Sequence, residues 1–363
     1  MQYTRLQSRL TELPNVWSLD SKYLNIESFN SLQSFLSNSS YLSLNKQKHG
    51  KKPPDQIPYQ QSVFHFFLYY AYYPKISFAI KENNQLLFGS FYGKNHQSIE
   101  LSFPYIPDGL QAINYLDHLF YQTEFGSLLK KENINQILLR DCSEELVKVM
   151  RRNTEDFSFK LDSLREIYYQ TYDLDQTLDK TGKNFSNLRW HLNKFRRADH
   201  KIEVVDLADY VKPVIHLIGS WKKDAVKRRR FSYVNLRSDK LAARLFSQVS
   251  TILQDSNHSS NSVSVSDCLS RVLKVDGRIA SFNFGYPLGL LQKENVFAHA
   301  VGITNLSIPH LAEYAQYDFW KIIQKKGYSF VNDGPSWRNS LELYKQKFRP
   351  IAKNRYYYVT LNI

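Results

Sequence analysis

The sequence predicts an α/β fold built twice in succession, and three observations carry that expectation. Short runs rich in Val, Ile, Phe and Tyr alternate with longer segments whose apolar residues recur at helical period. Each half offers a hairpin with a polar turn, then a strand and a long amphipathic helix. The 25 Tyr, 23 Phe and 42% apolar content supply enough surface for packed cores, which excludes a disordered chain. A length of 363 residues is compatible with about two domains.

In the first half, a polar stretch over 37–58 leads into an apolar run, with a helix expected over Gln61–Tyr72. Ile76–Gly93 reads as two strands around a turn at Glu82-Asn83-Asn84, and IELSFPYIP as a third strand closed by prolines. Leu110, Ile113, Leu116, Leu119 and Phe120 sit near helical period, which predicts one helix over Leu110–Leu129. Ile134–Asp141 reads as a buried strand, Ser143 opens a capped helix, and Ile167–Asp175 reads as a strand.

The second half repeats that grammar. A helix is expected over Asn184–Arg197, a strand at KIEVVDL, and a helix over Tyr210–Val226. A Ser/Asn-rich loop over Ser256–Ser266 follows, then a hairpin turning at Asp276-Gly277, a strand at FAHAVGI, and a helix from His310 stopped by Gly327. YSFVNDG, SLELYKQKF and YYYVTLNI read as strand, short helix and strand. The hairpins Ile76–Phe91 and Leu269–Phe284 correspond, as do the helices Leu110–Leu129 and His310–Lys326, so the order is that of an internal duplication. The polar segment TLDKTGK sets the expected boundary, giving domains 1–177 and 178–363, each a mixed sheet flanked by helices.

The 48 Lys and Arg exceed the 34 Asp and Glu by 14, which points to a polyanionic partner: an RNA, a CoA-like phosphate or an acidic membrane face. Cys142 and Cys268 are far apart with no metal-ligand spacing, so neither a disulfide scaffold nor a metal is expected. The N-terminal residues lack the pattern of a signal peptide. The most apolar run, Phe64–Tyr73, is half of what a membrane span needs. The expected location is the cytoplasm, including the inner face of a membrane.

Three stretches of the second half carry a family resemblance: GKNFSNLRWHLNKFRR (Gly182–Arg197), DGRIASFNFGYPL with VFAHAVGI, and FVNDGPSWRNSLELYKQKFRP (Phe330–Pro350). Together with the element order they resemble the Fem-like aminoacyltransferases, and in particular the synthase domain of phosphatidylglycerol lysyltransferases. The resemblance covers most of 165–363. It implies two tandem Gcn5-related N-acetyltransferase-like domains, and transfer of an amino acid from aminoacyl-tRNA to a lipid head group, peptide or small amine. Such transfer needs no further cofactor, because aminoacyl-tRNA is the co-substrate. No membrane-spanning region is seen ahead of the motifs.

Aminoacyl transfer starts from an activated ester, so the protein must hold both substrates, polarise the carbonyl and stabilise the leaving oxygen. No GxSxG elbow or cysteine-nucleophile signature occurs. Lys345 and Arg349, four apart, are expected to share a helix face and to stabilise the oxyanion or the terminal phosphates, unless they form only a solvated face. Asp333, at the end of a strand beside Gly334, either orients the incoming amine, acts as a base, or caps the next helix through an Asx turn. His299 offers a general base or a satisfied core histidine. His310 is expected to help start a helix.

Arg189, His191, Asn193 and Lys194, on the helix opening the second domain, offer a phosphate or acceptor contact or a plain solvated basic helix, and Lys183 just before it is a further candidate binding residue. Trp221–Tyr233 holds Lys222, Lys223, Lys227, Arg228, Arg229 and Arg230 between aromatic residues, a pattern suited to an RNA end or to plain solvated surface. Two rival readings stand beside the aminoacyltransferase: an N-acyltransferase using acetyl-CoA or another acyl-CoA, and a non-catalytic RNA- or membrane-binding protein. The stretch VGITNLSIPHLAEYAQ lacks the glycine pair that would hold a CoA pyrophosphate, which argues for tRNA.

Overall fold

The structure, a computed structural model, describes residues 2–13, 15–20, 76–82, 85–92, 98–102, 108–152, 159–227, 267–288, 295–336 and 339–363, with shorter pieces at 31–32, 64, 66, 239–240, 242–244 and 247. The expected helix over Gln61–Tyr72 lies almost wholly outside these residues, and the Ser256–Ser266 loop entirely so. The chain divides into two compact units. The first comprises Met1–Lys51, Asp55–Tyr168 and Asn354–Ile363, the second Lys52–Pro54 and Tyr169–Lys353.

The described elements of the first unit are α1 (Gln2–Thr11), β1 (Val16–Asp20), β2 (Ile76–Glu82), β3 (Gln85–Tyr92), β4 (Ser98–Ser102), α2 (Gly109–Tyr121), α3 (Glu124–Lys131), β5 (Gln136–Cys142) and α4 (Glu144–Arg152). Its sheet runs β1-β2-β3-β4-β5 and is completed by the chain's last strand, β12 (Ala352–Asn362). Neighbours are antiparallel except for the parallel pair β4–β5. Ile76, Phe78, Ile99, Leu101, Leu116, Phe120, Ile137 and Leu139 form the centre of its core. The helix expected over Leu110–Leu129 is two helices. Thr123 starts the second by accepting a hydrogen bond from the Gly126 N–H through its hydroxyl at 3.1 Å. At Gly126 a Cβ would collide with the Phe120 carbonyl, so the tight corner requires glycine.

The second unit begins within β6 (Lys160–Asp173), whose residues from Tyr169 belong to it. It continues with α5 (Leu174–Asp179), a single 3-10 turn at Lys183–Phe185, α6 (Ser186–Arg197), β7 (Ile202–Val205), α7 (Leu207–Lys227), β8 (Leu269–Val275), β9 (Arg278–Pro287), β10 (Val296–Thr304), α8 (Leu311–Lys325), β11 (Phe330–Pro335) and α9 (Asn339–Gln346). The sheet order is β6-β11-β10-β9-β8-β7, antiparallel except for β10–β11. The β8–β9 hairpin turns at Asp276 and Gly277, both at positive φ, the pair a two-residue primed turn requires. β9 is buried along nearly its whole length and is packed by both α7 and α8, so even its polar Ser281 and Asn283 lie buried.

Hairpin, strand, long helix, strand, short helix and strand thus follow in order twice, as the resemblance implies. The boundary does not follow the expected 177/178 break. Backbone pairing decides it: the end of β6 pairs with β11, and β12 pairs with β5. Each unit therefore completes its sheet with the closing strand of the other half of the sequence.

Candidate functional site

The parallel ladder of β10 and β11 is only three pairs long: Val296↔Phe330, Phe297↔Val331 and Ala298↔Asn332. Beyond it both strands are irregular, β10 between His299 and Val301 against β9, and β11 between Asn332 and Pro335 against β6. His299 and Asp333 are therefore the first residues past the end of the ladder. Bulges at such a place re-aim side chains, and here they bring His299 Nδ1 to 3.3 Å from Asp333 Oδ1.

The Asp333 carboxylate is the partly exposed member of a buried polar network, its side chain 11% accessible against 2% for His299. Gln316 Nε2, from α8, donates to Asp333 Oδ2 at 3.4 Å, and the Lys345 ammonium is 3.9 Å from the same oxygen. The Asx turn anticipated for Asp333 belongs instead to its neighbour: Gly334 N–H donates to Asn332 Oδ1 at 3.0 Å. Asp333 is thereby left for other work.

His299 is held on both sides. The Trp320 indole N–H donates to Nδ1 at 3.2 Å, and Nε2 lies 3.0 Å from Asn283 Oδ1. Asn283 in turn donates from Nδ2 to Ser281 Oγ at 3.1 Å, which fixes its amide orientation. These contacts assign the neutral ring the Nε2–H tautomer, with Nδ1 accepting from Trp320. A proton arriving at Nδ1 would face Asp333. A Cβ on Gly302 would stand 3.2 Å from His299 Nε2, so glycine lets the backbone lie directly against the imidazole.

Lys345 is 3% accessible and donates to the Gly334 carbonyl at 2.8 Å and to that of Asp333. Burial lowers its pKa, with the Asp333 charge opposing the shift. Its amine braces the bulged end of β11 and faces no solvent. The shared face with Arg349 does not form, because α9 ends at Gln346 and Arg349 has φ 56°. Arg349 Nε donates to the Asn184 carbonyl at 2.7 Å. Pro350 excluded continuation beyond 349, but the chain left the helix three residues sooner.

The basic candidates are dispersed. Arg189 donates through Nη1 to the carbonyls of Lys180 and Gly182, at 2.5 and 2.7 Å, and so clasps the turn after α5. Lys183 and Asn193 are exposed on the 3-10 turn and on α6. Lys223 and Lys227 are exposed and Lys222 half-buried on the last turns of α7, while Arg228, Arg229 and Arg230 lie outside the described residues. His310 does start α8, as the residue preceding its first turn.

Several members of the network were not singled out from the sequence. Ser281 and Asn283 carried a usable signal: two polar residues spaced by two within the aromatic strand SFNFGY put both on one buried face. Gln316, Trp320 and Tyr344 gave none, since only folding brings them to the strands. The Tyr344 hydroxyl donates to Gln316 Oε1 at 2.9 Å, and burial raises its pKa well above the usual range. The phenol is thus a neutral donor that orients the Gln316 amide toward Asp333.

No family model matches the sequence, and no curated protein matches it. Among solved structures, the chain is similar to a conserved protein of unknown function from Bacteroides thetaiotaomicron VPI-5482. The TM-score is 0.59 and the identity 16%, over 85% of this chain and 93% of that one. The fold is shared. The chain is also similar to the C-terminal domain of a lysylphosphatidylglycerol synthetase from Agrobacterium fabrum, with TM-score 0.46 and 14% identity over 78% of this chain and 84% of that one. A third is L-PGS from Bacillus licheniformis, with TM-score 0.46 and 15% identity over 76% and 80%.

Proposed function

We propose that this chain is an aminoacyltransferase, taking an amino acid from aminoacyl-tRNA and placing it on a lipid head group, peptide or small amine. One observation carries the reading. Where β10 and β11 part, the Asp333 carboxylate is held by His299, Gln316 and Lys345 and its side chain stays 11% accessible. An aminoacyl ester already contains the activated carbonyl, and what it adds over a plain acyl group is an ammonium. A fixed carboxylate is the group that orients an ammonium or accepts a proton from an attacking amine. His299 acts through Asp333 as a positioning residue. The proton is accepted at the carboxylate, beside which His299 is packed, and Asn283 and Trp320 keep the ring in place. Lys345 positions Asp333 through the backbone of β11. The basic side chains Lys183, Lys222, Lys223 and Lys227, with Arg228, Arg229 and Arg230, are assigned to the tRNA, and an anionic membrane surface remains the alternative partner for them.

The test is transfer from radiolabelled aminoacyl-tRNA to a mixture of cell lipid and amines. Asp333→Asn should keep the fold and lower the transfer rate by about 100-fold, the scale of one acid-base group. Undiminished transfer by that variant would remove Asp333 from the chemistry. Transfer from acetyl-CoA with none from charged tRNA would establish the acyl-CoA enzyme instead.

A further inference from the structure

One helical turn before Gln316, a second cluster of titratable side chains lies outside the Asp333 network. His191 on α6, His310 at the start of α8 and Glu313 in its first turn each bring one ligand atom within 4.8 Å of the others. The two Nδ1 atoms are 2.8 Å apart, and His191 Nδ1 is 3.4 Å from Glu313 Oε1. No other trio of His, Cys, Asp or Glu converges in this way among the described residues. We infer that His191, His310 and Glu313 form a binding site for a divalent transition ion of the zinc type.

Two imidazole nitrogens and a carboxylate are a donor set that zinc accepts with its fourth position left open. The backbone is arranged to present them. His310 adopts φ 63°, a left-handed conformation uncommon outside glycine, and its side chain gives no cap to α8. Its ring lies against that of His191, with centroids 4.9 Å apart. Trp190 stands edge-on to both imidazoles, with centroids 4.9 and 5.0 Å away, so neither ring turns freely.

One group opposes the ion. Lys347 Nζ donates to Glu313 Oε1 at 2.6 Å. An incoming cation must displace that ammonium or share the carboxylate through its second oxygen. Lys347 therefore weakens binding and supplies a signature that an ordinary polar cluster would not show. The site was invisible in the sequence because His191 and His310 are 119 residues apart and no Cys or His spacing announces them. The inference is independent of which donor or acceptor the enzyme uses.

The experiment is titration of the full, chelator-treated chain with Co2+ alone, followed by Zn2+. The expected result is one equivalent of Co2+ with visible d–d absorption, displaced by Zn2+, and a Tm that rises with either ion. Glu313→Gln and His310→Gly should each weaken binding at least about tenfold. Because glycine suits the positive φ, the second variant should fold at least as well as the parent, which separates metal loss from misfolding. Lys347→Met should tighten binding. Absence of stoichiometric Co2+ uptake by the parent chain would overturn the inference, as would uptake that His310→Gly and Glu313→Gln leave unchanged.

Discussion

The two units place different things at the same point of their order. In the first, the parallel pair β4–β5 runs for five matched positions, Ser98↔Gln136 to Ser102↔Arg140, without a bulge. Its side chains are Ile99, Leu101, Ile137 and Leu139 in the core, and Glu100 is taken up by an ion pair with Arg140. In the second, the parallel pair β10–β11 stops after three positions, and the strands part around His299 and Asp333. The first ladder is closed by apolar packing and a one-to-one ion pair. The second ends in a polar network in which the Asp333 carboxylate meets His299 through one oxygen and Gln316 and Lys345 through the other. The difference lies in partners and not in exposure: Glu100 and Asp333 are each 11% accessible, but Glu100 meets one arginine while Asp333 gathers an imidazole, an amide and an ammonium.

The largest expected contrast breaks or upholds that comparison directly. Glu100→Gln should leave transfer unchanged while lowering stability by about 1 to 3 kcal/mol, the cost of leaving a mostly buried arginine underpaired. Asp333→Asn should do the reverse, with little change in Tm and the rate loss given above. Equal activity losses in both variants would mean that the two strand pairs are functionally alike. Thermal unfolding and transfer assays on the same preparations give the answer.

Lys345→Met comes next, since it removes the amine that ties α9 to β11. The Gly334 carbonyl then loses its donor, at about 1 to 3 kcal/mol. A pH series sharpens the assignment. The folded pKa of Lys345 is lowered by burial from the ordinary 10.5, so between the two values the unfolded chain binds more protons than the folded one. Stability from this group therefore rises with pH across the window just below 10.5, and the Met variant should lack that rise. An unchanged slope in denaturant titrations would mean that Lys345 is not the buried amine.

Thr123→Ala has the smallest effect, about 1 kcal/mol, through loss of the cap on α3. It should lower Tm without altering transfer. A change in transfer rate would show that the first unit takes part in catalysis.

Much of the element order was legible. The polar turn at Asp276-Gly277, the capping Ser143 and the Gly327 stop are local signals, and the elements they bound follow them. The single helix over 110–129 was misread because its periodicity continues through a corner that Thr123 and Gly126 set. Of the candidate network, Asp333 and His299 were legible, because a carboxylate beside a strand-end glycine and a histidine in a strand are conspicuous. The expected pairing of Lys345 with Arg349 failed, because it assumed that α9 extends to the residue before Pro350.

The sequence by itself determined the elements, their duplicated order, the basic surplus and the two residues that meet where β10 and β11 part. These depend on periodicity, turn chemistry and composition, which act over a few residues. Tertiary structure alone decided that the two halves exchange their closing strands between units, that Lys345 turns inward to hold β11, and that His191 meets His310. Each of those outcomes depends on which backbone edge finds a partner and which charge is taken out of water. Such contacts join residues more than a hundred positions apart or reverse the direction of a side chain, and no local pattern encodes them.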